Sequence, residues 1–127
     1  FICLPSGRKL AYIEPEKRLN SFNRMELTYM GVGKTRKWER IMTYGPKLVE
    51  NCIQAIARDI LAEAMLRVDA TGFDIVAHVH DEMIVEVPNG KSSVKELCDM
   101  MAESPDWVDD KLPLRADGYE CEWYRKD

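Results

Sequence analysis

The stretch GPKLVENCIQAIARDILAEAMLRVDATGFDIVAHVHDEMIVEVP, from Gly45 to Pro88, decides the fold. In its first part, which ends at Ala70, apolar side chains recur every three or four residues, the spacing of one face of an α-helix. At 1.5 Å per residue such a helix is roughly 39 Å long. Pro46 fits the first turn of the helix, where the missing N–H of proline costs no hydrogen bond. Gly72 fits the C-terminal end of the helix. We therefore predict a long amphipathic helix.

After the helix, the side-chain pattern changes from helical to strand-like. FDIVAHVH and MIVEVP are rich in Val and Ile, and the polar break between them contains Asp81 and Glu82. Two such runs around a short break predict a tight β-hairpin, with both carboxylates where the chain reverses. Beyond Pro88, the segment 92–103 has a capping serine and an apolar stripe, which predict a second helix.

The remaining segments are predicted to be mainly strands. The strand candidates are Phe1–Pro5, Arg8–Ile13, Met25–Met30, Lys37–Tyr44 and Leu112–Tyr124. The first two flank Ser6-Gly7, a hairpin signal, whereas the polar segment 14–23 contains a proline and predicts a loop. We expect one domain, residues 1–127, of the α/β class (α+β). Its antiparallel sheet would have helices packed on one face and the acidic tip at its exposed end.

The composition is that of a folded protein rather than a disordered tail, with 46% hydrophobic and 31% charged residues in 127. No apolar run approaches the roughly 18 residues of a transmembrane helix, and the N-terminus lacks the pattern of a signal peptide. The chain starts without Met in a strand-like run, so we expect it to be part of a longer protein. Residues 1–47 carry a charge of +6 and residues 48–127 a charge of −10. The basic part could bind phosphate groups, and the acidic part could bind a cation.

The candidates for chemistry are Asp81 and Glu82, with His78 and His80 just before them. Carboxylates held by two apolar strands suit Mg²⁺, which takes oxygen ligands in near-octahedral geometry. His-x-His followed by acids also resembles the start of a zinc-hydrolase ligand set. Catalytic zinc takes three protein ligands, however, and the chain has 2 histidines. In a third interpretation both acids are solvated turn residues.

The run Val79-His80-Asp81-Glu82, inside an apolar hairpin, resembles motif C of family-A DNA polymerases, the group of bacterial DNA polymerase I and many phage replicative enzymes. The preceding QAIARDILAEAM, from Gln54 to Met65, is similar to the family helix that begins with Gln and has Asp five positions on. LPSGRKLAY and TYGPKLVEN look closest to phage-type members, and the segment 112–123 resembles the last palm strand. The resemblance spans nearly the whole chain, and the helix and hairpin in this order are more specific than either alone.

The resemblance implies catalytic roles at the hairpin. Asp81 matches the aspartate of motif C, which binds the catalytic Mg²⁺ ions, and Glu82 matches the adjacent auxiliary acid. His80 resembles the residue beside the primer terminus, where an imidazole can hydrogen-bond the backbone. His78 has no counterpart, and we expect a structural role for it.

The resemblance also implies DNA contacts on the long helix. Gln54 matches a residue that donates to the minor groove, where every base pair offers an acceptor. The Asn one turn earlier in the family is replaced by Glu50, so Asn51 is the candidate for its role. The family's Arg is replaced by Pro46, and the neighbouring cation is Lys47. A basic cluster predicts further phosphate contacts, with a solvated strand face as the alternative: Lys34, Arg36, Lys37 and Arg40.

The function implied by the resemblance is that of a C-terminal palm fragment of a DNA-directed DNA polymerase. Such an enzyme adds deoxynucleotides to a primer 3′ end with two Mg²⁺ ions. Motifs A and B, the sources of the second catalytic Asp and of the nucleotide-binding residues, are absent from this sequence, so the isolated fragment is predicted to be inactive. The expected partners are primer-template DNA, deoxynucleoside triphosphates and the rest of the polymerase chain, with no membrane, in the cytoplasm of a bacterial or phage-infected cell. The alternative function is a small α/β module that binds nucleic acid or protein without catalysis.

Overall fold

The computed structural model describes residues 1–109 and 111–124, and its mixture of antiparallel sheets and two helices confirms the α/β (α+β) class. The strands form three separate sheets of two, three and two strands, rather than the single sheet that was predicted. The chain divides into two compact units, Phe1–Ile56 and Ala57–Asp127. The first helix runs through the boundary between them.

The first unit begins with the predicted hairpin around Ser6-Gly7. Its strands are β1 (Ile2–Cys3) and β2 (Lys9–Leu10), which pair antiparallel. The three-stranded sheet follows, in the order β3-β4-β5. Its strands are β3 (Ile13–Leu19), β4 (Met25–Val32) and β5 (Trp38–Thr43). The predicted pairing of the strands that begin near Met25 and Lys37 is therefore confirmed.

The predicted loop over residues 14–23 is wrong, because most of that segment is strand β3. Pro15 suggested a loop, since a proline cannot donate to a strand ladder. Here it lies on the edge strand, where one side of the strand makes no ladder bonds, and at the register shift between Ile13 and Glu16. Both positions tolerate proline, so the polar composition of the segment reflects an exposed edge.

Helix α1 (Gly45–Ala70) has the predicted bounds. In the second unit its buried side chains are Leu61, Ala64 and Val68, spaced three and four residues apart, and Val68 is 0% exposed. Gly72 follows the helix with φ +86°, a left-handed conformation that suits glycine, and its N–H donates to the carbonyl of Asp69. The helical periodicity therefore predicted the helix and the buried positions of its second half, whereas Val49 and Ile53 of the same apolar stripe are 57% and 61% exposed.

Helix α2 (Val94–Ala102) is capped by Ser93, whose hydroxyl accepts from the Glu96 N–H at 3.3 Å. Its other end is tied to α1 by Arg67. The Arg67 guanidinium donates to the carbonyls of Met100 at 2.6 Å and Glu103 at 3.0 Å. These are carbonyls at a helix C-terminus, where intrahelical partners run out and a cation is favoured.

The second unit also contains the predicted hairpin, with strands β6 (Asp74–Val79) and β7 (Glu82–Glu86). The predicted final strand over Leu112–Tyr124 is wrong, because this segment contains no strand. Its apolar residues alternate with polar ones, but none of the described strands pairs with it in a hydrogen-bonded ladder. In the part of the chain that the structure describes, no helix is both long and apolar enough to span a membrane.

Candidate metal-binding hairpin and nucleic-acid contacts

The turn of the β6–β7 hairpin consists of two residues, His80 and Asp81. Val79 and Glu82 are the last directly opposed pair of the two strands. His80, at the first loop position, has φ +53°, in the left-handed region that two-residue hairpin turns require. The sequence placed the reversal at Asp81 and Glu82, one residue too late, and Glu82 is instead the first residue of β7. A two-residue loop requires a positive φ at its first position, and His80 adopts this conformation. The loop therefore begins at His80 rather than at Asp81.

The hairpin strands are less buried than the sequence suggested. Their apolar side chains imply buried strands, but every residue from Asp74 to Glu86 is exposed or half-buried. The most sheltered run is Met83, Ile84 and Val85, all half-buried. The position of the tip therefore depends on the strand ladder and the tight turn. A register shift between Ile75 and Ala77 adds a local twist to β6.

The two acids at the tip have different surroundings. Asp81 is exposed and forms no side-chain hydrogen bond or ion pair with the described residues. The Glu82 carboxylate accepts a long hydrogen bond, 3.5 Å, from the hydroxyl of Tyr124. Sequence reasoning missed Tyr124, because the two residues are 42 positions apart and nothing in the pattern connects them. Asp81 is thus available to an external ligand without losing an internal bond.

The donor chemistry of the tip fits a hard divalent cation, since Asp81 and Glu82 offer carboxylate oxygens. Two adjacent acids do not complete a coordination shell. Within residues 1–109 and 111–124, no group of three or more His, Cys, Asp or Glu residues is placed to hold a metal ion. The zinc interpretation therefore finds no third ligand there for His78 and His80, whereas a magnesium site would draw further oxygens from elsewhere.

The candidate DNA contacts on α1 form a hydrogen-bonded row around Glu50. The Lys47 ammonium lies 2.9 Å from one Glu50 oxygen, and the Gln54 amide donates to the other at 3.3 Å. Residues three and four apart share a helix face, so this row follows from the helical spacing. The hydrogen bond and charge of Glu50 raise the pKa of the Lys47 ammonium. All three side chains belong to exposed residues.

Asn51 has a different environment from its neighbours. Its amide donates to the hydroxyl of Tyr12 at 3.2 Å, which ties α1 to the segment after β2. The Tyr12 ring packs edge-on against Tyr29 of β4, with ring centroids 5.0 Å apart. Edge-to-face packing is a favourable aromatic geometry, so the Asn51 bond is part of the packing of the first unit. Tyr12 was not predicted, because it lies 39 residues from Asn51.

Arg40 is held by the acids of β3. Its guanidinium lies 3.0 Å from a Glu16 carboxylate oxygen and 3.3 Å from one of Glu14, and it also donates to the Glu14 carbonyl at 3.0 Å. The Arg40 side chain is 20% exposed. The three other cations of the predicted basic cluster are exposed and lie on or beside the turn between β4 and β5. The structure therefore separates Arg40 from the cluster.

The predicted residues fall into the two units. Lys47, Gln54, Asn51 and Arg40 belong to the first, and the hairpin tip belongs to the second.

No protein-family model and no solved structure matches the chain. The chain is 46% identical, in an alignment of 128 residues that covers 100% of it, to a protein named DNA polymerase from Bacillus phage SP02. It spans 20% of the length of that relative. The chain is therefore similar, along its whole length, to one part of a phage DNA polymerase.

Proposed function

We propose that this chain is a segment of a DNA-directed DNA polymerase of family A, part of the palm subdomain, in which Asp81 binds a catalytic magnesium ion. The observation that carries the proposal is the 46% identity over the whole chain to a phage protein named DNA polymerase. The match covers 20% of that relative, so the rest of the polymerase chain would supply the second aspartate and the nucleotide-binding residues. The enzyme would act in the cytoplasm of a bacterial or phage-infected cell.

The hairpin contributes the acids of the proposed site. Bound magnesium ions would activate the primer 3′ hydroxyl and neutralise the triphosphate of the incoming deoxynucleotide. Asp81 is the principal ligand in this proposal, because its exposed carboxylate has no described partner to give up. Glu82 is the auxiliary acid, and its carboxylate accepts a long hydrogen bond from the hydroxyl of Tyr124. His80 sets the turn and would lie beside the primer terminus.

Helix α1 contributes the proposed contacts to primer-template DNA. Gln54 would donate to an acceptor in the minor groove, and Lys47 would contact a phosphate. Without DNA, Glu50 holds both side chains, so DNA binding would exchange these internal contacts for DNA contacts. Asn51 and Arg40 are proposed DNA contacts as well, but each would first have to leave a partner within the first unit.

The test is Asp81→Asn in the complete polymerase that carries this segment. The matched control is Asp74→Asn, the same change at the base of the same hairpin, roughly 17 Å away along the strand. A metal ion contributes several kcal/mol to phosphoryl transfer. We therefore expect Asp81→Asn to reduce single-nucleotide addition by roughly 10³-fold or more, with DNA affinity nearly unchanged. The control should retain activity.

Wild-type-like extension by Asp81→Asn would remove the assignment of this residue. Equal losses in both variants would show that the hairpin had been damaged as a whole, which also argues against a specific ligand at the tip. The isolated chain should show no magnesium-dependent primer extension. Synthesis by this chain alone would contradict the requirement for an aspartate from elsewhere in the polymerase.

A further inference from the structure

The turn between β4 and β5 carries three cations that have no partner in the described residues. Lys34, Arg36 and Lys37 are exposed, and none of them forms an ion pair or a side-chain hydrogen bond there. Arg40, only three residues further on, is neutralised by Glu14 and Glu16. An exposed basic residue is ordinary, but three in four positions without a counter-ion among the described residues form a local excess of positive charge.

The turn holds these cations close together. The Gly33 N–H donates to the Lys37 carbonyl at 2.9 Å, and the Arg36 N–H donates to the Gly33 carbonyl, also at 2.9 Å. Arg36 has φ +60°, in the left-handed region that glycine or asparagine adopts far more readily. The turn geometry alone therefore does not explain an arginine at this position.

An apolar platform adjoins the cations. Trp38 follows Lys37 directly and is paired with Val32 across the sheet. The two side chains share one face of the sheet, and the residues are 57% and 63% exposed. Glu39 is the nearest acid in sequence, and strand alternation places it on the opposite face, where it lies against Gly33. By the same alternation Lys37 lies on the Glu39 face, so the exposed indole follows Lys37 directly in sequence and adjoins the turn that carries Lys34 and Arg36.

We propose that this turn and platform, residues 32–38, bind a single strand of DNA. Lys34, Arg36 and Lys37 would contact successive phosphates, and a base would stack on Trp38. Proteins that bind single strands combine these two features, a basic track for the backbone and an aromatic ring for the bases. An apolar protein surface would match the platform but would leave the three cations without counter-charges. The inference rests on the proposed function, for which an unpaired template strand is the available ligand.

The experiment uses the complete polymerase and a fluorescently labelled oligo-dT strand, with binding measured by anisotropy over a series of salt concentrations. The test variant combines Lys34→Gln, Arg36→Asn and Lys37→Gln, where asparagine preserves the left-handed position. The matched control combines Lys9→Gln, Arg24→Gln and Lys91→Gln, three exposed cations that are scattered along the chain. Both variants have the same change in net charge.

The logarithm of the affinity falls linearly with the logarithm of the salt concentration, and each phosphate contact to a single strand contributes about 0.7 to the steepness of that line. The test variant, which loses three such contacts, should therefore have a slope that is shallower by about 2. At roughly 0.1 M salt this corresponds to about a 100-fold loss of affinity, with little change in the control. Trp38→Ala should weaken binding by about 5-fold to 100-fold, and Trp38→Phe should retain much of the affinity.

Equal affinities and slopes for the test variant and the control would overturn the inference. So would an unchanged affinity in Trp38→Ala, because stacking of a base on the indole would then contribute nothing to binding. The outcomes are separable from those for the proposed function. If the test variant binds the strand like wild type and the Asp81→Asn enzyme is inactive, this inference alone would be removed. An active Asp81→Asn enzyme would remove the proposed function whatever the affinity for the strand.

Discussion

Substitution of His80 should separate the geometry of the hairpin turn from the chemistry of the imidazole. The φ of +53° at His80 is a left-handed conformation, which costs an ordinary side chain about 1–2 kcal/mol. Glycine escapes that cost but loses about 0.5–1 kcal/mol through the greater freedom of its unfolded chain. His80→Gly should therefore leave the hairpin equally stable or stabilise it by up to about 1.5 kcal/mol. His80→Asn should be nearly neutral, and the β-branched His80→Val should destabilise the hairpin by about 1–2 kcal/mol.

The measurement is amide hydrogen exchange of the β6 and β7 strands in the complete polymerase. Local opening of a hairpin that is exposed on its edges governs this exchange. A change of about 1 kcal/mol corresponds to about a fivefold change in protection. We expect His80→Val to lower protection by roughly 5-fold to 30-fold and His80→Asn to keep it. Wild-type protection in His80→Val would refute the reasoning from the positive φ.

The same variants distinguish two roles for His80 in nucleotide addition. If His80 acts by setting the turn that presents Asp81, the rate of nucleotide addition should change in parallel with the hydrogen-exchange protection of the hairpin. Both should be retained in His80→Asn and lowered in His80→Val. If the imidazole also contacts the primer, His80→Asn and His80→Gly should lose activity while their protection stays normal. In either outcome Asp81 keeps its role, so the result bears on His80 alone.

Two further predictions concern helix α1. Glu50→Gln should lower the pKa of Lys47, which Glu50 raises, towards its ordinary value of 10.5, as followed by NMR titration. The loss of the competing acid should also strengthen DNA binding severalfold, and weaker binding would contradict a DNA role for this row. Because the bond favours the charged lysine, its contribution to stability is complete below pH 10.5 and is lost as the pH rises through the raised pKa. Arg67→Met removes the hydrogen bonds to the end of α2 and should lower the free energy of unfolding by about 2 kcal/mol in urea denaturation. Arg58→Met, on an exposed position of the same helix, is the control, and equal stabilities would refute a structural role for Arg67.

The sequence determined the elements whose signals are local. The three- and four-residue spacing from Gly45 to Ala70 gave the helix its bounds, because helical hydrogen bonds join residues that are near in sequence. The hairpin around Asp81 followed from two β-branched runs and a short break. Its turn was placed one residue too late, since nothing in the composition shows that His80 would take the left-handed position.

Tertiary structure decided whatever depends on a distant partner. Pro15 suggested a loop until its place on a sheet edge was known, and the alternating residues of 112–124 did not become a strand without a neighbour. The basic cluster was uniform in sequence, but the acids of β3 hold Arg40, whereas Lys34, Arg36 and Lys37 form no ion pair with the residues that the structure describes. Ladder pairing and ion pairing join residues through space rather than along the chain, so a single sequence predicts the groups involved but not which of them meet.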